Sequence, residues 1–201
     1  MADFERAKAY ALKHLSEELD PRLTYHSLWH TQHDVVPAAA RLATAETLDD
    51  ETRYLLLTAA WYHDIGFLVQ RDDHEDAGAA IALDVLPRFG YTAAQIDQVA
   101  GMIMATKLPQ SPHTPLEEMM ADADLDSIGR PQDFLLTSGA LRNELAAFGT
   151  EIPIIEWYRR QQNFLQVHSY WRASAHALRD DGKQQIITML GRLIAELEAA
   201  G

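Results

Sequence analysis

The chain has no cysteine. Disulfides, thiolate nucleophiles and zinc–thiolate centres are excluded with it. Basic runs are missing too: 17 lysines and arginines stand against 30 aspartates and glutamates, a formal charge of −13. Nucleic-acid polymers and anionic membrane surfaces both call for a basic face, so neither is expected as a partner. A small phosphorylated substrate stays compatible, provided a metal ion or a few basic side chains supply local positive charge. No apolar run approaches the roughly 18 residues that span a bilayer. The opening stretch MADFERAKAYALKHLSEELD is charged throughout, unlike a secretory signal. A soluble protein of the cytoplasm is expected. Period-two alternation, the mark of a half-buried strand, is also lacking.

What is present is helical spacing along nearly the whole chain, with 47% apolar residues to build one core. Phe4, Ala7, Ala11 and Leu15 share a face, and Asp20-Pro21 ends that segment. Further helices are predicted over Leu28–Thr44 with a bend at Pro37, and over Asp49–Ile65 with Gly66 as C-cap. Another runs from His74 to Phe89-Gly90, and the next is capped by Thr92 with Gln95 in a capping box. After the loop LPQSPHTP come Leu116–Ile128, Pro131–Phe148, Pro153–Leu178 and Gly182–Ala200. The expectation is an all-α, compact single domain over residues 1–201, more elaborate than a four-helix bundle. Its chemistry is expected within residues 25–130, with residues 131–201 completing the core and closing one side of the pocket.

Nine histidines are present, several of them where polar groups are costly. In YHSLWHTQHDVV, His26 and His30 are four apart and share a helical face. His30 and Asp34 lie along one stripe, while His33 turns partly away. In LLLTAAWYHDIGF, an apolar helix ends in His63-Asp64. Side chains about 100° apart can still meet one ion beyond the helix end, and histidine with aspartate is a suitable N/O set for a divalent transition ion. In MMADADLDSIG, Asp122, Asp124 and Asp126 interrupt an otherwise apolar helix, and such carboxylates call for a cation or strong hydrogen bonds.

This ordered set resembles the HD superfamily, all-helical and largely metal-dependent phosphohydrolases. The residues that carry the resemblance are His30 in YHSLWHTQHDVV, His63 and Asp64 in AAWYHDIGF, and Asp124 in ADADLDSIG. It covers roughly residues 25–130. It implies that His30, His63, Asp64 and Asp124 bind a divalent ion, with Asp122 as the alternative to Asp124. Manganese, magnesium, iron, cobalt, nickel and zinc are not distinguished. In two-metal relatives a histidine in an HxxxG context serves a second ion, and His74 with Gly78 fits that context. Those relatives carry further histidines where this chain reads MIMATKLPQ, with Lys107 instead. One ion is therefore favoured over two.

The implied activity is hydrolysis of a small phosphate ester, a nucleotide or related metabolite, by metal-activated water. Asp64, His74 and Lys107 are the implied catalytic side chains, and His26 and Lys107 the implied substrate-binding ones. A di-iron oxygenase of the same scaffold is a rival, but it needs more histidines than His74 and His113 supply. A metal-stabilised ligand-binding module without catalysis is the third reading. Oligomeric state is left open. Trp157, Phe164, Tyr170 and Trp171 read as core, and Arg179 and Lys183 around DDG as a solvent-facing turn.

Overall fold

The computed structural model describes residues 2–200, which are all-helical and contain no strand. Six helices form the first body: α1 (Phe4–Glu18), α2 (Val36–Ala45), α3 (Asp50–Tyr62), α4 (His74–Val85), α5 (Ala93–Met104) and α6 (Pro115–Asp124). Three more follow: α7 (Phe134–Ala147), α8 (Ile154–Val167) and α9 (Ala173–Ala200).

α3 is the central element. Leu55 through Tyr62 are buried without interruption, so its last two turns are covered on all sides, by α1, α2, α5 and α6. Tyr62 uses its one polar atom to donate to the Ala7 carbonyl at 3.0 Å, tying α1 down. Helix starts follow local chemistry. Asp49 caps α3 by accepting from the Thr52 amide at 2.7 Å. Thr92 and Gln95 form the expected capping box on α5. Thr114 caps α6, with Pro115 at the first helical position.

Several boundaries differ from the sequence expectation. The helix expected over Leu28–Thr44 is present from Leu28 to Ala45, but it is π-helical over His30–Val35, the wider turn that leads into Pro37. Gly66 is not a C-cap. It sits in a 3-10 turn over Ile65–Leu68, where an added Cβ would lie 1.8 Å from the His74 carbonyl oxygen. Its role is to let the start of α4 approach the end of α3. The helix expected over Pro153–Leu178 breaks after Val167 and resumes at Ala173 as a 28-residue helix through Gly182. Gly182 does not start a helix; a Cβ there would lie 2.1 Å from the Gly129 carbonyl oxygen. Close packing of α9 on the turn Asp126–Gly129, not a chain break, explains that glycine.

The same packing corrects the reading of Arg179 and Lys183. Arg179 makes a two-pronged contact with buried Asp126, at 2.7 Å from Nε and 3.0 Å from Nη2. Lys183 donates to the His168 carbonyl at 2.9 Å. Neither lies in a solvent-facing turn.

Candidate metal centre

The cluster forms where the π turn, the end of α3 and the end of α6 meet. His30, His63 and Asp124 bring one ligand atom each to within 4.8 Å of one another and could together hold a metal ion. His30 Nε2 lies 3.3 Å from Asp124 Oδ1, and His63 Nε2 lies 3.5 Å from the same oxygen. Asp64 adjoins them, with Oδ2 3.1 Å from His63 Nε2.

Each imidazole is aimed by its other nitrogen. His63 Nδ1 donates to the Ala60 carbonyl at 2.8 Å, one turn back in α3. A carbonyl only accepts, so Nδ1 carries a proton, and Nε2 is the nitrogen turned to the centre. His30 Nδ1 faces Asp34 Oδ2 at 3.4 Å, and Asp34 is held in turn by Arg130. Such outer partners fix the tautomer and orientation of metal-binding histidines. Asp34 therefore has a function that sequence reading gave only as a shared stripe. Its spacing of four from His30 was the available signal.

The donor set fits a cation. His63 Nε2 and Asp64 Oδ2 are buried and have no hydrogen-bond partner despite their proximity. A buried imidazole nitrogen facing two carboxylates calls for positive charge there, either a proton on the ring or a bound cation. The ionisation of the cluster points the same way. Burial opposes protonation of His30, yet the Asp124 and Asp34 carboxylates outweigh it and raise its pKa to about 10. His63 is also raised, with burial overcome by Asp64 and Asp124. Two imidazoles with two carboxylates make a charge-neutral shell around a divalent ion, of the mixed type suited to a transition metal.

The three aspartates of ADADLD separate cleanly. Two residues along a helix turn the side chain about 200°, so 122 and 126 face one way and 124 the other. Asp124 faces the cluster. Asp122 is buried and accepts from the Trp171 and Arg172 amides, both at 2.8 Å. Asp126 takes Arg179 and also Arg41, the latter at 2.8 Å. Of the two carboxylates left open by the sequence, Asp124 is the one that meets the histidines.

Around the cluster opens a cavity of about 620 Å³, lined by Asp64, Asp124, His26, His74 and Lys107 among others. His74 Nε2 lies 3.4 Å from Asp64 Oδ1, and its ring stacks on Phe67 at 3.9 Å between centroids. His26 stacks on the same Phe67 at 4.6 Å. Lys107 reaches the wall but is paired with Asp73 and Asp76, at 2.7 Å each, which offsets the charge expected to hold a phosphate. His113 is exposed and does not line the cavity. Among the described residues, His30, His63 and Asp124 are the group that converges as metal ligands do.

Sequence reading missed Glu144. This buried carboxylate on α7 accepts from the Tyr25 and His26 amides at 2.8 and 3.0 Å, and from His26 Nδ1 at 2.5 Å. It holds the segment before the π turn against α7. No local signal could have found it, since the partners are 118 and 119 residues apart. No protein-family model, curated protein or solved structure gives a significant match to the chain.

Proposed function

We propose that the chain is a divalent-metal-dependent phosphohydrolase of the HD type, acting on a small phosphate ester. The observation that carries the reading is the buried, unpartnered pair His63 Nε2 and Asp64 Oδ2, facing His30 and Asp124 beside a large cavity. His30, His63, Asp64 and Asp124 would hold the ion. When bound, it supplies a Lewis acid for a phosphoryl oxygen and lowers the pKa of water.

The chain's own groups supply the rest. His74 sits in the cavity wall beside Asp64, where it can donate a proton to the leaving oxygen. His26 is oriented by Glu144 through Nδ1, which leaves Nε2 to hydrogen-bond a substrate oxygen. Lys107 lends charge at the mouth only as far as Asp73 and Asp76 leave it.

The test is phosphate release from a panel of phosphomonoesters and phosphodiesters, with manganese, magnesium, iron, cobalt, nickel or zinc added to chelator-stripped protein. Metal-dependent turnover is expected, with both metal content and turnover lost in His63→Ala and Asp64→Ala. Turnover that survives in a metal-free variant overturns the reading. A tightly bound metal with no turnover of any ester would favour a metal-stabilised binding module instead.

A further inference from the structure

The cavity at the metal cluster is not polar throughout. Away from Asp64 and Asp124, Leu125, Ile128, Phe134, Leu141, Trp157 and Phe164 form the apolar part of its wall, beside the polar Tyr25, Ser127, Thr137, Ser138 and Gln161. Of the apolar side chains, all but Leu125 and Ile128 come from α7 and α8, the part of the chain outside the histidine–aspartate pattern. Some of these polar groups are already paired within the protein. The Trp157 indole N–H donates to Ser138 Oγ at 2.9 Å, and Thr137 Oγ1 donates to the Phe134 carbonyl at 3.1 Å. Toward the mouth, Arg160 is paired with Glu156, and Arg71 lies over the Phe148 ring at 3.9 Å.

A nucleoside body fits such a wall poorly. Its base edge and ribose hydroxyls would give up water against the aromatic and aliphatic part of the wall, where only Gln161 and the already paired hydroxyls could replace it, and each buried polar atom left unpaired weakens binding on the order of tenfold. An alkyl or aryl body meets the opposite condition, because every methylene it buries leaves water at no polar cost. The volume of about 620 Å³ lies within the ordinary range for a small-molecule site, roughly 300–1,000 Å³.

We infer that the substrate is an amphipathic phosphate monoester. Its phosphate sits at the His30–His63–Asp64–Asp124 cluster, and its alkyl or aryl body fills the chamber of Leu125, Ile128, Phe134, Leu141, Trp157 and Phe164. The inference rests on the phosphohydrolase reading for the phosphate end and on the chamber wall for the body. The reaction adds water across the P–O bond and releases the alcohol and inorganic phosphate, with no change of oxidation state.

The experiment is a series of 1-alkyl phosphates from ethyl to decyl, kept below their aggregation limits, alongside nucleoside 5′-monophosphates. The manganese-loaded full chain is used. kcat/KM is expected to rise about two- to fourfold per methylene until the chamber is full, the upper figure corresponding to ~0.8 kcal/mol per buried CH₂. Nucleotides are expected to fall below alkyl phosphates of similar size. Leu141→Trp, which fills the chamber, is expected to flatten the series, with manganese affinity and circular dichroism reporting that the fold is intact. A flat series in the wild-type chain, or a preference for nucleotides, overturns the inference while leaving the hydrolase reading in place. The matching alkyl phosphonates, which are not hydrolysed, are titrated by calorimetry. Affinity that grows with chain length, with a negative heat-capacity change, supports the chamber even if no ester turns over, in which case the hydrolase reading alone fails. Length-independent phosphonate binding overturns the chamber.

Discussion

Replacing Asp124 by asparagine tests the metal centre without disturbing the packing. The carboxamide keeps the volume of the carboxylate and exchanges one anionic oxygen for an NH₂ that cannot ligate. In the native cluster that carboxylate lies 3.3 Å from His30 and 3.5 Å from His63, so its loss removes one of the ligand atoms that converge there. A ligand that binds only the folded state stabilises it by RT ln(1 + [L]/Kd). At 1 mM metal and a dissociation constant on the order of 10 µM, that is about 2.7 kcal/mol. For a domain of this size the melting temperature should rise by about 5–10 °C. The assay is thermal unfolding of chelator-stripped wild type, Asp124→Asn and Asp122→Asn, each with and without manganese. Wild type and Asp122→Asn are expected to show the full increment, and Asp124→Asn little or none. Asp122→Asn is expected to start from a lower baseline, since it weakens the buried acceptor for the Trp171 and Arg172 amides at about 1–2 kcal/mol. The difference between the two asparagine variants separates loss of metal from loss of fold. An equal increment in both variants refutes the ligand assignment. No increment in the wild type with any of the divalent ions refutes the centre itself.

Gly182→Ala should destabilise the chain by about 1–2 kcal/mol in urea unfolding, because overpacking against backbone outweighs the ~1 kcal/mol that alanine gains within a helix. The new Cβ would meet the Gly129 carbonyl oxygen at 2.1 Å. Gly139→Ala, on α7 with nothing within 4 Å of its Cβ, should instead stabilise by about 0.5–1 kcal/mol; the same sign in both would refute the close-packing account. His168 supplies a pH test. Burial, reinforced by the Lys183 ammonium, lowers its pKa to about 4, below the unfolded value of about 6.5. The unfolded chain then binds more protons between those values. The stability this group contributes is full above pH 6.5 and drains away as pH falls toward 4. Allowing for partial exposure, the wild type should lose up to about 2 kcal/mol more than His168→Phe across that window, measured by denaturant unfolding at stepped pH. Parallel pH profiles would refute the assignment.

The helical class could be read from period alone, and so could the histidines and the His-Asp pair, because each sits in a short local pattern. Asp124 could be told from Asp122 only once the two helix faces were known. The turn per residue separates them, but which face meets the histidines depends on where α9 packs. From the sequence alone Gly66 reads as a helix C-cap and Gly182 as a helix start. Both are instead places where two backbones approach more closely than a Cβ allows, a tertiary fact with no local mark. Glu144, Arg130 and the apolar chamber were invisible for a related reason. Arg130 pairs with Asp34 across 96 residues and Glu144 with His26 across 118, and the chamber is drawn largely from α7 and α8, whose apolar positions read as ordinary core. There is a division of labour in this. Ligand atoms for a cation must be few, polar and geometrically close, so they leave short motifs. A wall that receives an apolar body needs only volume and the absence of unpaired polar groups, so many sequences satisfy it and none announces it. The segment that supplies the candidate metal ligands is thus the legible one, and the proposed chamber becomes legible only when α7 and α8 are seen to line the cavity beside Asp64 and Asp124.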